Sequence, residues 1–192
     1  MKFLALTLML WNLHVAAQEI PRPAVVRFNT VCANCHEGEC SGRLSFQSGA
    51  DAARGHMERY LGKITSAEGA ALFSLLRYTK EHCSHYPVTA AWPEGGVWNT
   101  AELTLWRNQH EGGYFVPLGK FASGSHRLQI TFAATAPGRL KITDDRFEPL
   151  VEEALCPDGM QEVRFIAPGG PLYMTLQTKA ELIGIRLIAA SP

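Results

Sequence analysis

The chain changes its hydrophobic period once, near Pro87, and that change limits the folds open to it more than any other feature. Before it, residues from about Ser48 to Cys83 read as helical, and Ala53, Met57, Tyr60, Leu61 and Ile64 fall on one face. A second helix restarts in "KITSAEGAALFSLLRYTKEH". Thr65 or Ser66 is its cap, and Glu68 lies in its first turn, where a carboxylate complements the helix dipole. Ala71, Leu72, Leu75, Leu76 and Tyr78 supply its buried side. After about Val88 the pattern turns to short alternating runs broken by Gly and Pro: "AELTLWR", "YFVPLGKF", "HRLQITFAAT", "GRLKITD", "EVRFIAP", "LYMTLQT" and "LIGIRLIA". In "RLQITF", Leu128, Ile130 and Phe132 face one way and Gln129 and Thr131 the other, as in a half-buried strand. About eight strands in roughly a hundred residues predict an antiparallel β-sandwich or jelly roll. The chain is therefore expected to be a small helical module followed by an all-β module, with "YPVTAAWPEGG" as linker.

The first residues, "MKFLALTLMLWNLHVAA", place Lys2 before an apolar run that ends in small residues. That run is shorter than the roughly 20 residues that span a bilayer, so residues 1–17 are expected to be a secretory signal peptide. The product is expected to be exported, in the bacterial periplasm or an equivalent compartment, with no membrane span after signal removal. Zero formal net charge excludes the broad basic field that nucleic acid binding requires. No nucleophile elbow, P-loop or dinucleotide fingerprint is present.

Export gives the five cysteines a meaning, because thiols in an oxidising compartment pair or are consumed by covalent chemistry. Two of them stand in "CANCH", residues 32–36. Two thiols separated by two residues and followed by a histidine can tether haem through both sulfurs while the imidazole binds iron, or can contribute to a zinc site. Zinc needs four closed ligands, nominally Cys32, Cys35, Cys40 and one of His82, Cys83 or His85, and the chain lacks a second tight Cys pair. Compartment and contiguity favour haem.

"CANCH" resembles the haem-attachment signature of the c-type cytochromes residue for residue, and "ITSAEGAALFSLLRY" is similar to the last helix of their small single-haem members. The resemblance covers about residues 24–86. It implies one covalent haem c, with Cys32 and Cys35 as thioether partners and His36 as proximal iron ligand. No amphipathic helix is evident in the Pro-rich, β-branched "IPRPAVVRFNTV" ahead of the motif, where such proteins carry one. The expected organisation is a signal peptide at 1–17, a cytochrome c-like haem domain at 18–87 and a β-sandwich domain at 88–192. Cys40 and Cys83 bracket the segment that would surround the haem and are expected to pair, which leaves the state of Cys156 open.

His56 and Met57 are side by side upstream of the last helix, and imidazole and thioether are both common distal ligands. His56, on the flank of the apolar face beside Ala52 and Gly55, is read as the distal ligand, with Met57 as the alternative and His82, His85 and His110 behind them. Arg27 and Arg43 are candidates for contacts to the haem propionates, and Phe28, Leu44, Phe46, Tyr60 and Leu72 for the haem wall. The tryptophans Trp92, Trp98 and Trp106 read as core or linker cover before they read as sugar-stacking platforms. Asp144, Asp145, Glu148, Glu152 and Glu153 read as a solvated acidic face before a calcium site.

These residues predict a monohaem electron carrier serving redox protein partners, with a β module that docks a partner, binds a glycan or shields the haem. The rivals are a haem enzyme or gas sensor with an open distal site, and a polysaccharide-binding module with an appended haem.

Overall fold

Proline at a helix start lacks only an N–H that would have no partner there, and the chain exploits this at its first ordered turn. The computed structural model describes residues 19–36, 48–88, 92–93, 95–135, 137–155 and 159–188. The expected signal peptide at 1–17 lies outside them. Helix α1, Arg22–Arg27, opens with Pro21 at its cap and Pro23 in its first turn, and runs directly into a π-helical turn, Phe28–Cys32, and then α2, Ala33–His36. A helix therefore does precede the motif. The prolines mark its start, and its β-branched residues Val25 and Val26 are held by burial at 1% exposure each, so packing outweighs their weak helix propensity.

Helix α3, Ala50–Leu61, and helix α4, Ser66–His82, follow the expected periodicity. Thr65 caps α4 by accepting a hydrogen bond from the Glu68 backbone N–H at 3.1 Å. Among the described residues no helix is long and apolar enough to cross a membrane.

The remainder forms two antiparallel sheets of four strands. The strands are β1 Val97–Asn99, β2 Tyr114–Phe121, β3 Gly124–Phe132, β4 Gly138–Asp144, β5 Pro149–Leu155, β6 Met160–Ala167, β7 Gly170–Thr178 and β8 Leu182–Ile188. Sheet orders are β1-β8-β3-β6 and β2-β7-β4-β5, so that β1 pairs with β8, β2 with β7, β3 with β6 and β4 with β5, the connectivity of a jelly roll. Leu128, Ile130, Leu140, Ile142, Leu172, Met174, Leu176 and Ile185 are fully buried at alternating strand positions. Burying each such side chain stabilises the fold by about 1.5–3 kcal/mol relative to leaving it in water. Trp98 and Trp106 belong to this core, and Trp92 packs against it.

One expected strand is a helix. "AELTLWR" begins in α5, Thr100–Thr104, because Asn99 accepts from the Ala101 and Glu102 N–H groups while Glu102 accepts from the Asn99 N–H, a complete capping box.

The helices lie against the outer face of the β2-β7-β4-β5 sheet, and three polar seams hold them there. Asn108 donates from Nδ2 to Thr30 Oγ1 at 2.8 Å, and Gln177 donates from Nε2 to Asn34 Oδ1 at 2.6 Å. His85 lies over Phe147, Tyr173 and Phe115, with ring centroids at 4.1, 4.4 and 5.6 Å, and its Nε2 meets Thr143 Oγ1 at 2.9 Å. Burial, helped by the nearby Lys141 charge, pushes the His85 pKa down to about 3, so this wedge is neutral. Arg27, the third seam, is buried between α3, α4 and the β module. It donates to Leu61 O at 2.6 Å, to Glu111 Oε1 at 2.5 Å and to Glu68. The chain before β2 approaches β7 through Gly113, where φ is +85° and a Cβ would fall 2.7 Å from Leu176 O, so only glycine fits.

Candidate functional site

Residues three and four apart share a helix face, so Cys32, Cys35 and His36 point one way and leave Asn34 to the sheet behind. The π-helical turn sets that direction. The Ala33 N–H reaches back to Phe28 O, a five-residue step that inserts one extra position before the motif. All three motif side chains line an open, largely apolar cleft of about 100 Å³. Its opposite wall comes from α3, through His56, Met57 and Tyr60, and its floor from α4, through Leu72, Phe73 and Leu76. None of the described residues that line it comes from the β module.

Across this cleft the rings of His36 and His56 face each other with centroids 5.9 Å apart and planes inclined at 69°. Tyr60, one turn after His56, packs its ring at 5.2 Å from the imidazole and stays largely exposed at the mouth. Cys32 and Cys35 are free thiols. Burial pushes the Cys32 pKa up to about 11, against the lowering effect of the Arg27 charge, so this sulfur is held as a neutral thiol in an apolar wall.

The two chemistries of the motif ask different things of this donor set. Among the described residues no three His, Cys, Asp or Glu side chains converge as a metal-ion site. Of the nominated zinc ligands, Cys83 is in a disulfide, His85 is wedged against the sheet, and Cys40 lies outside the described residues. A haem brings its own equatorial nitrogens and asks the protein only for axial ligands. Cys32, Cys35, His36 and His56 on one apolar cleft are the residues that would hold that group.

Other expected residues fall elsewhere. Met57 also lines the cleft, but it is buried, with its methyl facing Gly69. His82 packs on Tyr78, His85 is on the sheet and His110 is in an exposed loop; none lines the cleft. Arg27, expected as a propionate contact, does not line the cleft, and two carboxylates and a carbonyl engage its guanidinium. Arg43, Leu44 and Phe46 lie outside the described residues, as do Cys40 and Cys156 and with them the pairing partner of Cys83. Phe28, Tyr60 and Leu72 do form cleft wall. Val31, Ala53, Phe73 and Leu76 join them without having been expected there; Leu76 follows from Leu72 by the helical repeat, and Phe73 lies three residues before Leu76. Of the acidic residues on the β module, Asp144 accepts from the Arg146 and Glu148 N–H groups in a turn, and Glu152 pairs with Arg139 at 3.5 Å.

No known family pattern matches this chain, and no curated protein matches it. Among solved structures it is similar to a family GH115 4-O-methyl-alpha-glucuronidase, BtGH115A, with specificity for decorated arabinogalactans. That likeness has 13% identity and a TM-score of 0.36 over 73% of this chain and 25% of that one. It is also similar to a Corynascus thermopiles (Myceliophthora fergusii) carbohydrate esterase family 2 enzyme plus carbohydrate binding domain, at 13% identity and a TM-score of 0.26 over 52% of this chain and 30% of that one. The chain spans less than a third of either protein, and likenesses this distant leave the site to be read from its own geometry.

Proposed function

We propose that the chain is an exported monohaem c-type cytochrome that passes single electrons between protein partners. The observation that carries this reading is the opposition of His36 and His56 at 5.9 Å across a cleft that also presents both thiols of the CANCH motif. Cys32 and Cys35 would hold the haem covalently, His36 would take the proximal position and His56 the distal one, with Met57 the alternative on the same wall. When bound, the group supplies a one-electron couple whose potential depends on the axial ligand and on burial.

The chain's own side chains do the rest. Phe28, Leu72, Phe73 and Leu76 keep water from the site. Tyr60 flanks the His56 ring. Arg27 ties α1 to α3, α4 and the β module, and so fixes the direction in which the motif helix points. The β module lies behind that helix, so its role is to position the motif and to present a surface to partners, and shielding is left to the helices.

The test is denaturing mass spectrometry of the protein exported with haem-attachment machinery, followed by optical spectra of wild type, His56→Ala and Met57→Ala. A covalent haem adduct and a low-spin spectrum lost in His56→Ala are expected. A chain without added mass overturns the reading, and a spectrum altered only by Met57→Ala moves the distal ligand to the thioether. The exposure of His56 favours a second reading, a haem enzyme or gas sensor whose distal position opens. Ready carbon monoxide binding by the reduced wild type would select it.

A further inference from the structure

We infer that strand β6 is a self-association edge: two copies of this chain join β6 to β6 antiparallel about Val163, and the sheet β1-β8-β3-β6 continues into its twin. The inference does not depend on whether haem is attached, because no residue of β6 lines the cleft.

Of the four strands that end the two sheets, three are blunted. β1 has only three residues, β2 carries Pro117 and loses register between Pro117 and Gly119, and β5 opens on Pro149 beside a register shift. Short strands, prolines and bulges are the devices that keep an edge from pairing with another chain. β6 has none of them. It pairs with β3 over eight successive residues without a break, and among the described residues no strand pairs with its other side. The Phe132 N–H donates to Gly159 O at 2.8 Å, and bonding residues alternate along an antiparallel ladder. Gln161, Val163, Phe165 and Ala167 therefore bond toward β3, while the N–H and C=O groups of Met160, Glu162, Arg164 and Ile166 point to the open edge.

The side chains select the occupant. These same four residues stand on the outer face, where Met160 and Ile166 are 58% and 73% exposed, more than any other large apolar side chain in the described part of the β module. A two-fold axis at Val163 sets Met160 opposite Ile166 of the second copy and Glu162 opposite its Arg164, and each pair occurs on both sides of the axis. Apolar pairs and opposite charges directly across an antiparallel ladder stabilise it, and like charges destabilise it. Moving the axis one residue either way brings Glu162 against itself or Arg164 against itself, so one register stands out. Within one chain Arg164 donates to Glu162 at 2.8 Å, and Arg127 lies 3.7 Å from that same carboxylate. The second copy brings Arg164 a further carboxylate. Because the same patch meets itself, the contact closes as a dimer.

The test is sedimentation velocity of the protein purified after export, over a series of concentrations. A dimer is expected, weakened at least about tenfold by Glu162→Arg and by Arg164→Glu, each of which sets like charges across the axis. An equimolar mixture of those two variants should recover the dimer, because each arginine then faces a glutamate. Ile166→Lys should weaken it with both of those charges left in place. Lys120→Glu, on the edge strand β2, should leave it unchanged; thermal melts establish that each variant is folded. A wild type that stays monomeric up to about 100 µM overturns the proposal, as does a dimer that survives either charge reversal, or a mixture of the two that stays monomeric.

Discussion

Replacing Arg27 by methionine keeps the length of the side chain and removes its charge, and the structure fixes what that should do. Two carboxylates lose their shared cation and Leu61 O loses its donor. Breaking a fully buried pair in this way costs about 3–5 kcal/mol. The Arg27 side chain is 7% exposed, but Glu68 and Glu111 are each 28% exposed, so water recovers part of the loss and about 2–3 kcal/mol is expected at pH 7. For a chain of this size that lowers Tm by about 5–10 °C.

The pH dependence supplies the sign. Burial alone would raise the Glu111 pKa, but hydrogen bonds from Arg27 and Asn108, with the Arg27 charge, hold it below its ordinary value of 4.5. The stabilisation is therefore complete above about pH 4.5 and is lost as pH falls through the folded-state value. Wild type and Arg27→Met should converge on acidification. The triple variant Arg27→Met, Glu68→Gln, Glu111→Gln should lie closer to wild type than the single variant, because no uncompensated charge is left behind. Urea unfolding followed by tryptophan fluorescence measures all of this. A single variant within about 0.5 kcal/mol of wild type at pH 7, or a gap that widens in acid, would refute the argument.

His85 should make the protein acid-sensitive by another route. Its depressed pKa contributes stability that is present above about pH 6.5 and drains away as pH falls toward about 3, as much as about 5 kcal/mol in all. His85→Phe should flatten that slope in a pH series of melts while costing about 1 kcal/mol at neutral pH through the lost Thr143 contact. Gly113→Ala should destabilise by about 1–3 kcal/mol, since it forces a side chain into a positive-φ position 2.7 Å from a carbonyl oxygen; a loss under about 0.5 kcal/mol would contradict the close approach. Asn99→Ala should cost about 1 kcal/mol by opening the α5 capping box, read by chemical denaturation.

The helices α3 and α4 were legible because period and cap agree: Thr65, Glu68 and the Leu72, Leu75 and Leu76 face each point to the same boundary. The strands of "RLQITF" and "YFVPLGKF" were legible by alternation or apolar density between glycines. Where local signals conflicted, alternation misled. "AELTLWR" alternates like a strand, yet the Asn99 to Glu102 box ahead of it starts a helix. "IPRPAVVRFNTV" shows no amphipathic helix pattern, yet its prolines sit where a helix tolerates them, and tertiary burial secures the rest. Strand β5 was hidden because only Val151 and Leu155 are buried along it and its glutamates suggested a solvated acidic face.

At the site, Cys32, Cys35 and His36 were named from the motif and its resemblance to the c-type cytochromes, and His56 from its flank position, and they line one cleft. What spacing could not reveal was the seam between modules. Arg27 and Glu111 are 84 residues apart, and no local pattern states that a guanidinium near the start of the chain belongs to a loop of the β module.

The π-helical turn also acts as an angular gauge. An α-helix advances about 100° per residue, so one surplus position between Phe28 and Cys32 swings everything after it by about that angle relative to everything before. Val25 and Val26 can therefore stay packed in the core while the sulfurs emerge on the far side of the same rod. Straighten that turn into regular α-helix with no residue lost, and the same sequence would turn its sulfurs away from the cleft, leaving composition intact and the aim wrong.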